Sequence, residues 1–145
     1  MCYRAHNKKQ FWGDSMQDDL GKLILRLTVG ALLVFHGVHK MLTGIAPIEA
    51  LVVAHHLPAA LAYGVYIGEI IAPVMVILGL FARIGAGLIG INMIVAVALA
   101  GLSSIAAFTP SGGYALELEA FYLFGALSIA LLGAGRFAIA GGRWN

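Results

Sequence analysis

Four long apolar stretches constrain this chain more than any other feature of its sequence. They cover residues 20–41, 59–80, 84–102 and 116–132, and each approaches the roughly 20 residues that a helix needs to cross about 30 Å of hydrocarbon. Barrel strands would be shorter and strictly alternating, whereas a helix satisfies its own backbone in lipid. The pattern therefore predicts an all-α fold, an integral membrane four-helix bundle.

Composition excludes the soluble alternative. Of 145 residues, 61% are hydrophobic and only 11% are charged, whereas a soluble domain carries about 25% charged residues. So little polar surface cannot cover so much apolar side chain in water. The formal net charge of +2, without a run of Lys or Arg, gives no indication of a nucleic-acid partner.

The chain divides into a polar N-terminal tail (residues 1–19), a membrane domain (residues 20–137) and a short C-terminal tail (residues 138–145). The N-terminal tail has no helical apolar period. Met16, followed by a short polar leader, is an equally good translation start. No function is assigned to either tail.

The positions of Lys and Arg predict the orientation of the domain. With four spans, all but one of the basic residues fall on one side of the membrane, and the other side has only Lys40. Because cytoplasmic loops are enriched in Lys and Arg, both termini are predicted to be cytoplasmic. The residues on that side are Arg4, Lys8, Lys9, Lys22, Arg26, Arg83, Arg136 and Arg143.

Glu69 is the most informative single residue. It lies about nine residues, or roughly 13 Å, from the outer end of the second stretch. An ionised carboxylate at such a depth is costly and therefore faces other helices rather than lipid. Pro73, four residues later, cannot donate to the carbonyl of Glu69. This level of the membrane is either a proton, ligand or cation site, or a buried hydrogen bond that fixes helix packing.

Other ionisable residues fall at similar depth in the outer halves of the spans, where opposite charges lower one another's burial cost. One interpretation is a polar intramembrane pocket that holds an anionic or quinone-like head group or passes protons. The alternative is a set of interhelical salt bridges, with Lys40 reaching to the interface. The predicted pocket comprises His36, Lys40, Glu69, Glu117 and Glu119.

The remaining polar span positions have plainer interpretations. Close packing between helices is expected along the face of Arg26, Gly30, Leu33 and Gly37, and at the Gly64/Gly68 pair, because small residues let membrane helices approach. No metal site is predicted, since His36, His39, His55 and His56 form no established ligand pattern. These remaining polar positions are Arg26, His39, Arg83 and Asn92.

Residues 20–137 resemble the DoxX family of small four-helix bacterial membrane proteins. The resemblance rests on the order and spacing of many short pieces. In the first half of the chain these are Leu25-Arg26-Leu27, Gly30, Phe35-His36-Gly37-x-x-Lys40, Leu57-Pro58 and Gly68-Glu69. Further along they are Leu78-Gly79-Leu80, Arg83, Asn92-Met93, Ala96 and Gly133-x-Gly135-Arg136-Phe137.

The resemblance implies a location in the bacterial plasma (inner) membrane and a link to redox chemistry. DoxX-like proteins are associated with thiosulfate:quinone oxidoreductase subunits of sulfur-oxidising archaea. Mycobacterial relatives are linked to a complex with superoxide dismutase and a thiosulfate sulfurtransferase. The family's polar span residues would fall on Arg26, His36, Lys40, Glu69 and Arg83, with a carboxylate at Glu117 or Glu119. Relatives usually continue the last piece with a Ser and an Asp, where this chain has Ala138 and Ala140.

Three functional hypotheses follow. The first is an accessory subunit of a quinone- or thiol/sulfur-linked membrane redox system, with quinone as the cofactor considered. The second is a small proton-coupled transporter, and the third is a purely structural protein that recruits partners. Expected partners are lipid, membrane or cytoplasmic redox proteins and further copies of the chain. Catalytic residues are not identified, because no catalytic motif is visible.

Overall fold

The computed structural model describes the backbone of residues 3–140 and the side chains of residues 16–140. Four of the basic residues on the predicted cytoplasmic side lie outside this part: the side chains of Arg4, Lys8 and Lys9, and all of Arg143. Residues 3–140 contain helices and no strand, with one isolated bridge between Phe108 and Tyr114. The predicted all-α class is confirmed.

Five helical segments follow one another along the chain. Segments α3 and α4 are each a continuous run of helical turns of more than one type. The segments are α1 (Tyr3–Thr43), α2 (Ala46–Ala54), α3 (Ala59–Leu78), α4 (Ala82–Ser104) and α5 (Glu117–Leu132).

Three of these helices are long and apolar enough to cross a membrane: the Met16–Thr43 part of α1, α3 and α4. Helix α5 has 16 residues, or roughly 24 Å at 1.5 Å per residue. It packs mainly on α4 and also contacts α1. Large apolar side chains are exposed on all four of these helices, among them Phe35 and Leu131, each 70% exposed. Such a surface is typical of helices solvated by lipid.

Helix α1 begins far before the predicted first span. Its 41 residues extend roughly 60 Å, about twice the hydrocarbon thickness. The segment before residue 20 contains no Pro, and adding turns to an existing helix is far easier than starting one. The backbone of the polar tail from Tyr3 onward therefore continues the first membrane helix.

Helix α3 changes its winding twice. It starts with a 3₁₀ turn at Ala59–Tyr63 and has a π-helical turn at Ile67–Ile71 before the α-helical Ala72–Leu78. Pro73 has no N–H to give to the carbonyl of Glu69, so regular α-helical bonding cannot pass through this point. The irregularity expected from Pro73 is present as the π turn, and Glu69 lies within it.

Glycines on one face of α1 allow close packing against α3. A Cβ added to Gly30 would lie 2.5 Å from Cγ1 of Ile77, and one added to Gly37 would lie 2.5 Å from the carbonyl oxygen of Glu69. Real Cβ atoms do not approach so closely. The fully buried Val29 and Leu33 continue this face into the apolar core, which they share with Val76 of α3.

Candidate functional site

An ion pair between α1 and α3 forms the centre of the candidate site. Lys40 Nζ donates a hydrogen bond to Glu69 Oε1. Glu69 is only 5% exposed, and the side chain of Lys40 is 29% exposed. The pair lowers the cost of burying each charge, so two of the five residues of the predicted pocket lie in direct contact.

Asn92 of α4 brings a third polar group to this point. Its side chain packs against Gly68, where an added Cβ would overlap the amide. Glu69 Oε2 and Asn92 Nδ2 are both buried, and neither has a hydrogen-bond partner among the described residues. A buried polar atom without a partner costs about 1–3 kcal/mol. These two atoms therefore have hydrogen-bonding capacity that the described residues do not use.

Glu69 and Asn92 line a cavity of about 220 Å³. Its walls come from α1, α2, α3 and α4, and apart from three polar side chains every lining residue is aliphatic. Leu61 and Val95 are exposed, so the cavity opens to the molecular surface. The lining residues are Lys40, Ile48, Leu51, Val52, Leu61, Ala62, Val65, Glu69, Asn92, Val95, Ala96, Leu99 and Ala100.

Local sequence explains how these groups meet. The π turn widens α3 at Glu69, and Gly68 leaves the space that Asn92 occupies. Gly37 allows the backbone of α1 to lie against the carbonyl of Glu69, so Lys40, three residues further on, reaches the carboxylate. The polar end of the cavity is therefore built by one irregular turn and two glycines.

The other three residues of the predicted pocket lie elsewhere. His36 is exposed, and its ring meets that of the buried Tyr122 edge-on at 5.9 Å. Glu119 lines a groove with Met93 and Tyr114, whereas Glu117 is exposed and lines a different groove. Residues two apart on a helix point roughly 200° apart, so both carboxylates cannot face one site. The structure does not bring the five residues into one pocket.

Arg26 connects several segments of the chain at the end of the molecule away from the cavity. It is 1% exposed. Its guanidinium donates to the carbonyl oxygens of Val76 at 2.8 Å, Ile77 at 2.8 Å, Ala134 at 2.6 Å and Phe137 at 3.0 Å. It therefore joins α1 to the end of α3 and to the segment after α5, as a structural residue away from the cavity.

Two further contacts strengthen that end. Arg83 donates to the carbonyl oxygen of Ala130 at 2.7 Å, which ties the start of α4 to α5. Asp19 is buried and accepts a hydrogen bond from the backbone N–H of Arg136 at 3.1 Å. Asp19 could not be singled out from the sequence, because a carboxylate just before an apolar span is an ordinary interfacial residue.

The described histidines lie outside any cluster of three potential metal ligands. Among residues 16–140, no three His, Cys, Asp or Glu side chains come together in a ligating group. His39, His55 and His56 are exposed, and Nδ1 of His55 lies 2.9 Å from the carbonyl oxygen of Leu51 on its own helix.

Comparison with known proteins decides the family. The DoxX family model matches residues 21–102, which is more than half of the chain. The chain belongs to the DoxX family. The resemblance noted in the sequence is thereby confirmed, and with it the assignment as a membrane protein. No curated protein and no solved structure gives a significant match.

The matched part of this DoxX chain contains the whole lining of the cavity. Lys40, Glu69 and Asn92 lie within residues 21–102, whereas α5 with Glu117 and Glu119 lies beyond them. The sequence indicated Asn92 as a polar span position but did not place it, or helix α2, in the predicted pocket. A lone Asn in an apolar span is a signal of function or packing. Whether its side chain faces a cavity depends on how α3 and α4 pack.

Proposed function

We propose that this DoxX-family protein is an accessory subunit of a membrane redox system that holds the head group of a quinone-type ligand in its cavity. The observation that carries the proposal is the pair of buried, unpartnered polar atoms, Glu69 Oε2 and Asn92 Nδ2, on residues that line a cavity whose other walls, apart from Lys40, are aliphatic. Small-molecule sites combine mostly apolar walls with a few well-placed polar groups.

The size of the cavity fits a head group rather than a larger ligand. At about 220 Å³ it is smaller than the roughly 300–1,000 Å³ of sites for drug-sized molecules. The aliphatic side chains of Leu51, Val65 and Leu99 would contact a flat ring on its faces. The opening beside Leu61 and Val95 would let an isoprenoid tail continue into lipid.

The proposal includes a topology. Helix α5 forms a fourth span, and both termini lie in the cytoplasm of a bacterial cell, with the chain in the plasma membrane. Lys22, Arg26, Arg83 and Arg136 then share the cytoplasmic side, in agreement with the distribution of basic residues in membrane proteins. The cavity lies in the outer half of the membrane, because Lys40 is near the other end of α1.

Filling the cavity tests the proposal. Ala96 lines the cavity, whereas Ala98, on the same helix, is exposed and does not line it. We expect protein purified from native membranes in mild detergent to carry quinone, measured as oxidised plus reduced forms after solvent extraction. Ala96→Phe should lose most of it, and Ala98→Phe should keep it. Negligible quinone in the wild type, or equal amounts in both variants, would refute the proposal.

Partner capture tests the accessory role. Crosslinking in the native membrane followed by purification should recover an oxidoreductase subunit in stoichiometric amount. Recovery of copies of this chain alone would favour a homo-oligomer without a redox partner.

A proton-coupled transporter is the second candidate, and the π turn favours it. Glu69 lies in this irregular turn, four residues before Pro73, and such turns are frequent at functional sites. Under this alternative, liposomes containing the protein would show proton flux that Glu69→Gln abolishes. A purely structural role would instead leave alanine variants of Lys40 and Glu69 less stable, with no change in bound quinone or in proton flux.

A further inference from the structure

We infer that the cavity selects the reduced form of its ligand, a hydroquinone bearing O–H groups, over the corresponding quinone. The inference rests on the proposed function and deepens it by assigning the redox form that the site prefers. It follows from the hydrogen-bonding roles of the two unpartnered atoms.

Glu69 can only accept hydrogen bonds. Its Oε1 already accepts one from Lys40, and a carboxylate paired with an ammonium group has no proton to donate. The free atom, Oε2, is therefore an acceptor that needs a donor. The free atom of Asn92, Nδ2, is an amide nitrogen with two N–H groups, and it needs an acceptor.

A hydroxyl group satisfies both atoms at once. It has one O–H donor and two acceptor lone pairs, so it can donate to Glu69 Oε2 while accepting from Asn92 Nδ2. A quinone carbonyl can accept from Asn92 but leaves the carboxylate oxygen buried without a partner. Hydrogen bonds to ionised groups are among the strong ones, so we expect a preference for the hydroquinone of roughly tenfold or more.

Packing holds both groups in these roles. Lys40 fixes one oxygen of the carboxylate, and Glu69 is buried among its neighbours. The carbonyl oxygen of the Asn92 amide lies towards Gly68, where an added Cβ would be only 2.6 Å from it. The amide nitrogen is thereby left as the group of Asn92 that can serve a ligand.

Two substitutions should change the preference in opposite directions. In Glu69→Gln, Lys40 keeps donating to the side-chain oxygen, and an amide N–H group takes the place of Oε2. The cavity then presents two donors and favours the quinone. In Asn92→Leu, the quinone loses its only hydrogen bond while the hydroquinone keeps the one to Glu69. The preference for the hydroquinone then increases.

The test measures binding of duroquinol and duroquinone to the full chain in lipid nanodiscs, under anaerobic conditions, by titration calorimetry. Every ring carbon of duroquinone that does not carry oxygen bears a methyl group, which protects it from addition of the thiol of Cys2. The ratio of the two dissociation constants does not depend on the fraction of protein that is folded. Glu117→Gln, at an exposed position away from the cavity, is the matched control.

We expect the wild type and Glu117→Gln to bind duroquinol at least tenfold more tightly, Glu69→Gln to prefer duroquinone, and Asn92→Leu to show a larger preference for duroquinol. Equal affinities in the wild type, or a ratio unchanged by Glu69→Gln, would overturn the inference and leave the proposed function standing. Binding of neither compound to the wild type would overturn both, and would indicate that water completes the polar end of the cavity.

Discussion

At the scale of single residues, two buried charged groups, Arg26 and Glu69, have their hydrogen bonds satisfied to different extents. Arg26 donates four hydrogen bonds to main-chain carbonyl oxygens, and those of Val76 and Ile77 belong to the last turn of α3. Such ends carry partial negative charge, which a cation stabilises. Glu69 is satisfied on one oxygen only. The hydrogen bonds of Arg26 therefore serve the structure. Glu69 has one oxygen without a donor, so it can accept a hydrogen bond from a ligand.

Arg26→Met should destabilise the protein by at least about 3 kcal/mol, because buried carbonyl groups that lose their donors cost about 1–3 kcal/mol each. The measurement is the free energy of unfolding in detergent. Lys22→Met is the control on the same helix. Its partner Asp18, at 2.6 Å, is an exposed i,i+4 neighbour, and such pairs contribute about 0.3–0.5 kcal/mol. Similar losses in both variants would contradict the structural role of Arg26.

A double-mutant cycle tests the ion pair between Lys40 and Glu69. Lys40→Met leaves the carboxylate of Glu69 without its counter-charge, Glu69→Gln leaves Lys40 with a neutral hydrogen-bond acceptor, and the double variant removes both charges. We expect the double variant to be more stable than the sum of the single losses predicts, with a coupling of about 0.5–3 kcal/mol. Strictly additive losses would mean that the two side chains do not interact.

At the scale of elements, glycine contacts and the π turn decide which side chains meet. The Gly64/Gly68 pair illustrates this. The sequence treats the two as equivalent small residues, but a Cβ at Gly68 would overlap Asn92, whereas one at Gly64 would have no atom within 4 Å. Only Gly68 is a packing contact, and it is also the residue that positions Asn92 in the cavity.

Gly68→Ala should therefore destabilise the protein by about 1–3 kcal/mol, the usual cost of overfilling a packed interface. It should also weaken duroquinol binding, because Asn92 must move. Gly64→Ala should be neutral or slightly stabilising, since replacing Gly in a helix reduces the entropy of the unfolded chain. Thermal unfolding and ligand titration of the two variants check this prediction. A neutral Gly68→Ala would show that α3 and α4 are not in close contact there.

The sequence predicted the class of fold and the positions of the apolar helices, because both depend on composition and length. It also indicated Glu69, since a carboxylate in a span must face other helices. It could not predict which polar residues share a cavity. That depends on the π turn, which changes the direction of Glu69, and on the rotation of α5, which carries Glu117 and Glu119 away. Helix α2 as a cavity wall depends on tertiary packing alone.

At the scale of the whole molecule, the structure has large apolar side chains on its outer surface and charged groups turned inward. Phe35, Phe124 and Leu131 are exposed on the outer surface, whereas Arg26 and Glu69 are buried. A soluble protein exposes its charged residues and buries its large apolar ones, whereas these residues are distributed the other way round. Such a distribution is stable only if hydrocarbon contacts the outer surface. In the proposed topology, helix α5, though short, would span most of the hydrocarbon.

Cysteine labelling tests that arrangement. Cys2 is the only cysteine, so Cys2→Ser gives a background without thiols, into which single cysteines are introduced. In spheroplasts, Ser111→Cys should react with a membrane-impermeant maleimide, and Ile139→Cys should react only after permeabilisation. Both positions are exposed on the molecule, so access depends on the membrane alone. Labelling of both from outside would mean that α5 does not cross.

Photolabelling shows whether a quinone-type head group occupies the cavity itself. A photoreactive azido-quinone would be bound to the protein in native membranes and activated, and the labelled residues would be identified by mass spectrometry. We expect labels at Leu51, Leu61 and Leu99. These labels should disappear when duroquinol is added and in the Ala96→Phe variant. Labels confined to the grooves beside Tyr114 and Phe121, or spread over the lipid-facing surface and insensitive to duroquinol, would contradict it.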